Sequence, residues 1–457
     1  MEWDLHTDVG VVGAGGSGLM IAITAATFRA GVNVLLLEKD ASIPPNSAIG
    51  GGMLQAAGTR FQRAAGIEDS PELMAEDILV KNRGQSDPAL TLALCRRSAE
   101  VVHWFADDLG VPIQFAPETH WLGHSRPRMH AHPKRSGAPL LEALRARIAG
   151  LSNIRYADRT PGEGLVTDER GAVVGVLARH QGETRRVGCK HVVLATGGFG
   201  ANRGMLSQHI PEVVDVPYLG TATNTGEGIR WGVDVGAAVD HMTGYQGLGF
   251  AVPGTGTRLN PGLISAGGIM VNASARRFER EDQGYSEWAG VLLRQPGGVA
   301  VAIWDEEIHR PIERTTTMVD STRAGAIVRF ERVSEVGRHF DLDAGTLAQT
   351  IDEYNRAVAD GRDPFGRELL VHRLTPPYYA ARVTGALAHT QGGLKIDPYG
   401  RVLRGDGSAV PNLYAGGGTA AGLSGDTPGG YTSGNGLLVA YTLGRIIGEH
   451  VVRSLTA

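Results

Sequence analysis

Apolar positions near the start of the chain form two short runs, separated by a glycine-rich turn and a longer segment of small and apolar residues. The first run covers Val9–Val12, and the second covers Val32–Leu37 and ends at Glu38. The segment between them is rich in Ala, Ile and Thr. This pattern predicts a strand, a helix and a second strand within about thirty residues.

The glycine-rich turn has the spacing of a dinucleotide-binding motif. Gly13 permits a tight turn, Gly15 lets backbone N–H groups approach a pyrophosphate, and Gly18 lets the helix pack closely on the strand. The N-terminus of the helix favours the phosphate charge. Glu38 lies 20 residues after Gly18, where a carboxylate can accept hydrogen bonds from a ribose hydroxyl. We therefore predict dinucleotide binding; the alternative is a glycine-rich turn without a ligand.

The rest of the chain continues a strand-and-helix rhythm that is interrupted once. Helical periodicity covers residues 70–110, with Asp87-Pro88 as a helix start and Gly110 as a stop. The rhythm is lost over residues 241–382 and returns at His389. Further predicted elements are a helix at Ala138–Ile148, a meander of strands over 154–193, a strand at His191–Ala195, a helix at Gly226–Ala238, a strand at Asn412–Ala415 and a helix at Leu437–Val452.

These elements predict an α/β protein with a Rossmann-like domain built from both ends of the chain. Residues 1–240 and 383–457 would form the dinucleotide-binding domain, and residues 241–382 would form an inserted α+β cap domain that carries catalytic groups. The chain has 457 residues, of which 42% are hydrophobic and 20% charged, enough for two such domains.

Charge and hydropathy exclude several classes of function. The net charge is −4 with both signs interspersed, so neither a nucleic-acid groove nor a polybasic membrane anchor is expected. No run approaches 18 apolar residues, and we recognise no signal peptide, so we expect a cytoplasmic protein without a membrane span. Cys95 and Cys189 form no CxxC motif and are predicted to be inert core thiols. The oligomeric state is left open.

Three blocks of sequence resemble the FAD-dependent fumarate reductase and 3-ketosteroid dehydrogenase superfamily. They are the N-terminal turn, the segment Val192-Val-Leu-Ala-Thr-Gly-Gly-Phe199, and the stretch from His389-Thr-Gln-Gly-Gly393 through Asn412-Leu-Tyr-Ala-Gly416 into the final helix. The resemblance implies FAD rather than NAD, with a small-molecule substrate and an unknown electron acceptor. In agreement, the chain has no second strand–GxGxxG–helix unit.

The resemblance also implies which residues bind the flavin. No histidine occurs in the loop SIPPNSAIGGG after the second strand, so non-covalent FAD is expected. The N-terminus of the final helix would direct its positive end at the isoalloxazine. The implied FAD contacts are Gly13, Gly15, Gly16, Ser17, Gly18, Glu38, Lys39, Ser47, Gly51, Gly52, Ala195, Thr196, Gly197, Gly417, Ser433, Gly436, Leu437 and Leu438.

Two branches of the family differ in the reaction they imply. The fumarate-reductase branch uses an arginine proton donor after a stretch like Arg277-Phe-Glu279, and a clamp arginine before a Gly-Gly pair near the final helix. Here Tyr285 stands near the donor position, and Asp426-Thr-Pro428 precedes Gly429-Gly430. Two buried carboxylates need paired positive groups, so reduction of a small dicarboxylate is hard to reconcile with this sequence.

The ketosteroid dehydrogenase branch resembles this chain more closely, because its reaction uses two tyrosines. Tyr431 would hold the ketone oxygen, with Ser433 and the Gly434 region as further substrate contacts, and Tyr285 would take the α-proton while a hydride leaves to the flavin. A free tyrosine has a pKa of about 10, so a nearby cation such as Arg277, or a relay, would have to assist. We expect both phenols to face the same patch of the isoalloxazine.

His389 and a basic loop over residues 120–137 point instead to a carboxylate. His389 lies in a motif that resembles a carboxylate-binding histidine, and the loop supplies Arg128 and His130 as further candidates. A small oxo-cyclohexane carboxylate would satisfy both sets of residues. Histidine spacing in the loop does not predict a metal site. The alternative interpretation of the loop is a solvated surface turn without a ligand.

The sequence thus predicts an FAD-dependent ketone desaturase that forms a C=C bond α,β to the carbonyl of a cyclic ketone. The alternatives are a reductase of an unsaturated acid and a non-catalytic flavin electron-transfer subunit.

Overall fold

A computed structural model describes residues 2–117 and 122–455 of the chain. It divides the chain into two compact units. The dinucleotide unit comprises Met1–Pro211, Gly220–Tyr245 and His389–Ala457, and the inserted unit comprises Glu212–Leu219 and Gln246–Ala388. The predicted boundaries were 240/241 and 382/383, and the short segment Glu212–Leu219 was not expected in the inserted unit.

The dinucleotide unit is built on an eight-stranded sheet in which five neighbouring strands run parallel. In order across the sheet, the parallel strands are Ala409–Ala415, Glu183–Leu194, Leu5–Val12, Val34–Leu37 and Ile154–Ala157. The antiparallel strands are Arg401–Leu403, Gly162–Thr167 and Val173–His180. The smaller sheets contain Leu54–Gln55, Met129–Ala131 and Gln114–Phe115, and the pair Val239–Asp240 and Gly393–Leu394.

Helices of the dinucleotide unit follow the sequence signals closely. Asp87 caps the helix Pro88–Asp107, accepting a hydrogen bond from the Leu90 N–H at 2.7 Å. The final helix is continuous from Asn435–Leu437 through a π-helical segment, Leu438–Leu443, into Gly444–Ser454. The remaining helices are Gly16–Phe28, Asn46–Ile49, Arg60–Ala64, Pro71–Lys81, Ala138–Ala149, Arg203–His209 and Glu227–Asp234.

The inserted unit contains a five-stranded sheet and six α-helices among its described residues. Its core includes the fully buried rings of Trp288, Trp304 and Tyr354. The strands are Tyr245–Ala251, Tyr378–Thr390, Val299–Asp305, Ile269–Val271 and Val328–Phe330, and the helices are Gly262–Ser265, Tyr285–Leu293, Glu306–Ile312, Thr316–Arg323, Val333–Phe340 and Ala344–Asp360. The predicted fold class, a Rossmann-like α/β domain with an α+β insertion, is confirmed.

Two expectations from hydropathy and cysteine usage can be compared with the structure. Over the described ranges, no helix combines the length and apolar character needed to cross a bilayer. Cys95 and Cys189 are buried and unpaired, and burial raises the pKa of each thiol to about 12. Both thiols are therefore poor nucleophiles at neutral pH.

A buried cluster of charges stabilises the inserted unit. Arg277 Nε donates to Glu281 Oε1 at 2.7 Å, and Arg277 Nη1 donates to Asp363 Oδ1 at 2.5 Å. Arg367 Nη1 reaches the same Glu281 carboxylate at 3.3 Å. Burial opposes ionisation of Asp363, but the Arg277 hydrogen bond and charge hold its pKa below the usual value. This stabilisation is present at neutral pH and is lost as the pH falls through that lowered pKa.

Removing the guanidinium of this cluster is expected to destabilise the protein strongly. An Arg277→Met variant should lose about 3–5 kcal/mol of unfolding free energy, because Asp363 would remain buried without a counter-charge and Glu281 would keep only Arg367. Urea denaturation followed by circular dichroism measures this loss. The matched control is Arg276→Met, whose guanidinium is 42% exposed and 3.4 Å from Glu353, and it should change stability by less than about 1 kcal/mol. Equal effects of the two variants would contradict the proposed role of burial.

Candidate active site

The carboxyl ends of four neighbouring parallel strands define the candidate site of the dinucleotide unit. Leu37 is in register with Val12, Val12 with Leu194, and Leu194 with Ala415. The residues that directly follow these strand ends therefore lie side by side at the same edge of the sheet. They are Gly13, Glu38, Ala195 and Gly416. Ligands of open parallel sheets bind beyond the carboxyl ends of the strands, so the topology brings three separate blocks of sequence to one binding edge.

Gly13 and Gly18 are required by close backbone contacts in the first turn. Gly13 has φ 104°, and a Cβ atom there would lie 2.3 Å from the carbonyl oxygen of Ala195. A Cβ at Gly18 would lie 1.8 Å from the Gly13 carbonyl oxygen. The turn can pass between the sheet and the helix Gly16–Phe28 only without side chains at these positions.

Glu38 has the position predicted for a ribose-binding acid. Its Oε2 accepts a hydrogen bond from the Ala14 N–H at 2.8 Å, and its Oε1 accepts one from the Asp40 N–H at 2.9 Å. The carboxylate is thus fixed beside the glycine turn. Lys39 instead forms an ion pair with Glu227 at 2.6 Å. Burial opposes ionisation of Glu227, but the Lys39 hydrogen bond keeps its pKa below the usual value.

Other residues predicted to bind the cofactor surround the same turn. The Gly16 N–H donates to Ser47 Oγ at 3.0 Å. A Cβ at Gly417, which has φ 59°, would lie 3.0 Å from Ser17 Cβ. Gly52 and Gly197 also have positive φ, 65° and 79°. The structure therefore brings Ser47, Gly417 and the first glycine turn together, whereas Lys39 already has a protein partner.

The final helix starts beside a second group of predicted residues. Gly434, with φ 90°, precedes its first turn, and Gly436, Leu437 and Leu438 lie in the first two turns. The His389 and Tyr431 rings meet edge to face there, with centroids 5.6 Å apart. A Cβ at Gly436 would lie 3.3 Å from His389 Nε2 and 3.8 Å from the Tyr431 hydroxyl. The imidazole and the phenol therefore converge on the side-chain-free face of Gly436.

Burial favours the neutral form of the His389 imidazole in this pair. Burial lowers the pKa of His389 below its usual value, against a smaller opposing contribution from the Thr390 carbonyl. A partly buried, neutral imidazole next to a phenol can donate hydrogen bonds to a carbonyl oxygen. The lowered pKa disfavours the positive charge that would neutralise a buried carboxylate.

His124, a residue that the sequence did not single out as a site residue, supports this region. Its Nε2 lies 3.1 Å from the Ser433 carbonyl oxygen, and burial lowers its pKa to about 4. Being neutral at physiological pH, it can donate a hydrogen bond to that carbonyl and hold the Tyr431–Gly434 segment. The signal available in the sequence was only that His124 lies in the basic loop.

Arg128 and His130, predicted as substrate contacts, have protein partners. Arg128 donates to both oxygens of Asp69, at 2.8 and 3.0 Å, and also pairs with Asp77. His130 Nε2 lies 2.8 Å from Thr59 Oγ1, and burial lowers its pKa to about 4. Both side chains are thus engaged by buried partners within the protein. Residues 118–121, including His120 of the basic loop, lie outside the described residues.

Across residues 2–117 and 122–455, no group of three or more His, Cys, Asp or Glu side chains is arranged to hold a metal ion.

Tyr285 lies in the inserted unit, where its partner differs from the one expected. It begins the helix Tyr285–Leu293, directly after Gly284 with φ 118°. Arg277, the predicted cation, is neutralised by Glu281 and Asp363. Arg258 interacts electrostatically with Tyr285 instead; burial lowers the pKa of its guanidinium, and the phenol opposes this shift. A cation beside a phenol favours the phenolate form.

Arg258 could not be recognised from local sequence. It follows a turn and pairs with Ala251 across an antiparallel bridge, which places it opposite the end of the strand Tyr245–Ala251. In the described part of the inserted unit, no carboxylate forms an ion pair with it. Its electrostatic interaction with Tyr285 is a property of the folded unit and has no local sequence signal.

A comparison with known protein families decides the cofactor. The model of the FAD binding domain family matches residues 8–437 of the chain. The chain belongs to this family of FAD-binding proteins.

Relatives of this FAD-binding protein include reductases and a dehydrogenase. It is 32% identical to a urocanate reductase of Eggerthella lenta over 422 residues, covering 90% of this chain and 69% of the relative. It is 29% identical to a probable fumarate reductase of Shewanella frigidimarina over 453 residues, covering 98% and 75%. It is also similar to the crystal structure of 3-ketosteroid-Δ4-(5α)-dehydrogenase from Rhodococcus jostii, with TM-score 0.81, 28% identity and 99% and 98% coverage.

The residues of the FAD-binding protein fit the cofactor that its family implies. Ser17 Oγ, at the start of the helix Gly16–Phe28, is buried and has no hydrogen-bond partner among the described residues. A hydroxyl of this kind is suited to a phosphate oxygen. Gly13, Gly15 and Gly16 would present backbone to the pyrophosphate, and Glu38 would accept from the ribose. The flavin end would be held by the segment from Ser433 to Leu438.

The contact between Gly13 and Ala195 gives a test of cofactor binding. A Gly13→Ala variant should retain at least tenfold less FAD than wild type, because the methyl group would displace the turn from the Ala195 carbonyl oxygen. The ratio of flavin to protein absorbance after gel filtration measures retention. Gly31→Ala is the matched control: Gly31 also has positive φ, 84°, but a Cβ there meets nothing within 4 Å. Equal flavin loss in both variants would show that backbone strain alone is responsible.

Proposed function

We propose that this FAD-dependent oxidoreductase introduces a C=C bond α,β to the carbonyl of a cyclic ketone, either steroid-like or a smaller oxo-cyclohexane carboxylate. The observation that carries the proposal is the convergence of His389 Nε2 and the Tyr431 hydroxyl at Gly436. Two neutral donors at one point are suited to a ketone oxygen. As negative charge develops on that oxygen in an enolate-like transition state, both hydrogen bonds strengthen.

The residues around the final helix support a ketone rather than a carboxylate at this point. Between Gly422 and Leu437 the chain contains no arginine, lysine or histidine. Ser433 is buried, and its backbone carbonyl accepts from His124. A carboxylate placed beside Tyr431 would therefore have no positive side chain from this segment, and burying it unpaired would be costly.

The reaction removes two hydrogens from the saturated ketone. One α C–H bond breaks with loss of a proton, one β C–H bond breaks with loss of a hydride, and the carbon–carbon double bond forms. FAD, when bound, supplies the two-electron acceptor for the hydride. Tyr431 and His389 hold the ketone oxygen, which acidifies the α-hydrogen and orients the ring.

Tyr285 is proposed as the base that takes the α-proton. This role follows from the family resemblance of the segment after Arg277-Phe-Glu279, and from the electrostatic interaction of the phenol with Arg258. The guanidinium would stabilise the phenolate that a base requires. Arg258 would thereby replace Arg277 in the assisting role.

Reduction of an unsaturated acid is the alternative reaction. It is favoured by the names of the two curated relatives, a urocanate reductase and a probable fumarate reductase. A carrier subunit without a substrate of its own is a third possibility, and the convergent donors at Gly436 argue against it.

Anaerobic spectroscopy distinguishes these three functions. The oxidised flavoprotein is mixed with saturated cyclic ketones, with and without a carboxylate, and the flavin absorbance is followed. Bleaching by a ketone supports the desaturase. Resistance to ketones, together with recolouring of the dithionite-reduced protein by fumarate-like acids, would favour the reductase. A spectrum that responds to none of these compounds would favour the carrier.

Removing the Tyr431 hydroxyl should slow the reductive half-reaction without releasing the cofactor. For Tyr431→Phe, the rate of flavin bleaching by ketone is expected to fall about 10²–10³-fold, the usual cost of losing an oxyanion donor. Anaerobic stopped-flow absorbance measures this rate, and flavin content is measured on the same sample. The control is Tyr399→Phe, since Tyr399 is 50% exposed. A rate for Tyr431→Phe within about threefold of wild type would contradict the role of the hydroxyl.

Neutralising Arg258 should change the pH dependence of kcat/KM, and not only its magnitude. In Arg258→Gln, the phenolate loses its cation, so the acidic limb of the kcat/KM profile should move upward by about 1–3 pH units. Activity is then lowered at neutral pH and partly recovered at high pH. Arg314→Gln, at a side chain that is 95% exposed, is the matched control. A uniform loss at every pH would instead assign Arg258 to substrate binding.

A further inference from the structure

A chain of buried polar side chains leads away from His389 into the dinucleotide unit. Gln391 Nε2 lies 2.9 Å from His389 Nδ1, and Gln391 Oε1 accepts from Ser424 Oγ at 2.8 Å. Asn435 Nδ2 donates to Ser424 Oγ at 3.4 Å. Gln55 Nε2 donates to Asn435 Oδ1 at 2.6 Å. We call these four residues, Gln391, Ser424, Asn435 and Gln55, the amide relay.

The amide relay is deeply buried and rigidly attached to the backbone. Its members are between 0% and 5% exposed. The Gln391 N–H donates to the Gly244 carbonyl at 2.8 Å, and the Gln391 carbonyl accepts from the Gly422 N–H at 2.8 Å. A Cβ at Gly422 would lie 2.5 Å from Gln391 Oε1, so a side chain there would displace the amide. The backbone of Gln391 is thus fixed by hydrogen bonds on both sides.

The direction of hydrogen bonding along the relay determines which nitrogen of His389 carries the proton. Since Asn435 donates to Ser424, and Ser424 donates to Gln391 Oε1, the Gln391 amide nitrogen is the end that meets the imidazole. An amide N–H that donates to Nδ1 requires an unprotonated Nδ1, and the ring proton then lies on Nε2. The Thr390 carbonyl is also near Nδ1, but at the longer distance of 3.3 Å.

The groups that act on His389 contain no formal charge. Among the described residues, its pKa is affected by burial and by the Thr390 carbonyl, and its ring contacts the uncharged phenol of Tyr431. An amide at Nδ1, unlike a carboxylate, gives no electrostatic support to an imidazolium. The relay thus selects a neutral ring with Nε2–H directed to the side of Gly436 where the Tyr431 hydroxyl lies.

We infer that Gln391 is a positioning residue that holds His389 in its neutral Nε2–H form, so that His389 donates a hydrogen bond to a substrate oxygen instead of binding a carboxylate as a cation. This inference rests on the proposed function for the identity of the oxygen, a ketone. It assigns specificity to the relay, because a ring locked in the neutral form discriminates against an acidic group at this position.

The tautomer can be observed without turnover. The holoprotein is labelled with ¹⁵N-histidine, and the His389 resonances are identified among those of 15 histidines by their loss in His389→Gln. The expected result is a pyrrole-type Nε2 and a pyridine-type Nδ1, unchanged from about pH 8 to pH 6. An Nδ1–H tautomer, or titration of the ring with a pKa near its ordinary value of about 6.5, would overturn the inference.

Replacing the amide by a carboxylate should reverse the state of the ring. In Gln391→Glu, the negative charge beside Nδ1 is expected to raise the pKa of His389 by about 1–3 units and to move a proton onto Nδ1. Gln391→Met, of similar size, removes the donor and should leave a mixture of tautomers. Gln208→Glu adds the same charge at an exposed helical position and should leave the His389 resonances unchanged.

Kinetics then separate positioning from a merely structural role. In Gln391→Glu, kcat for a neutral cyclic ketone should fall at least tenfold while flavin content is retained, and a new pH dependence should follow the NMR titration of His389. A pH profile identical to wild type, with His389 titrating in the NMR experiment, would overturn the specificity role. If the anaerobic test identifies a reductase instead, the NMR result still decides on the tautomer, so the two proposals fail separately.

Discussion

The structure depends on the close approach of the first glycine turn to the neighbouring parallel strand. Gly13 passes so near the Ala195 carbonyl that no Cβ atom fits between them. This contact joins the end of the first strand to the end of the strand Glu183–Leu194. The helix Gly16–Phe28 starts at the same edge of the sheet. The segments that the family resemblance assigns to the flavin are brought to that edge by the parallel register, although they are hundreds of residues apart.

The dinucleotide unit uses neutral polar groups where related chemistry could use charges. Around Tyr431 the polar groups are its own phenol and the His389 imidazole, and the side chains behind the imidazole are amides and a hydroxyl. An arginine there would bind an anion in the ground state as well as in the transition state. In the proposed desaturation, neutral donors would gain most as charge develops on the ketone oxygen, which is the differential binding that raises a rate.

The elements that sequence reasoning predicted best were those specified by local patterns. The Asp87 cap depends on a residue three positions away, and the glycine turn and Glu38 belong to one strand–helix–strand motif of about thirty residues, so each is encoded in one continuous stretch of sequence. Arg258 and the amide relay could not be found in this way, because Gln55 and Asn435 are separated by 380 positions and the interaction of Arg258 with Tyr285 follows from tertiary folding. Arg277 was a reasonable candidate by proximity in sequence, but two buried carboxylates occupy it.

Arg258 differs from the other buried arginines in its electrostatic partner. Arg128 is held by Asp69 and Asp77, and Arg277 by Glu281 and Asp363, so each of these guanidiniums is compensated permanently. Arg258 is partly buried, and within the described residues it interacts electrostatically with the Tyr285 phenol. That phenol is charged only when deprotonated. Desolvating a cation is costly without a counter-charge. In the proposed reaction, a Tyr285 phenolate would supply this counter-charge before it takes the α-proton. Arg258 would therefore favour the phenolate more than a compensated arginine could.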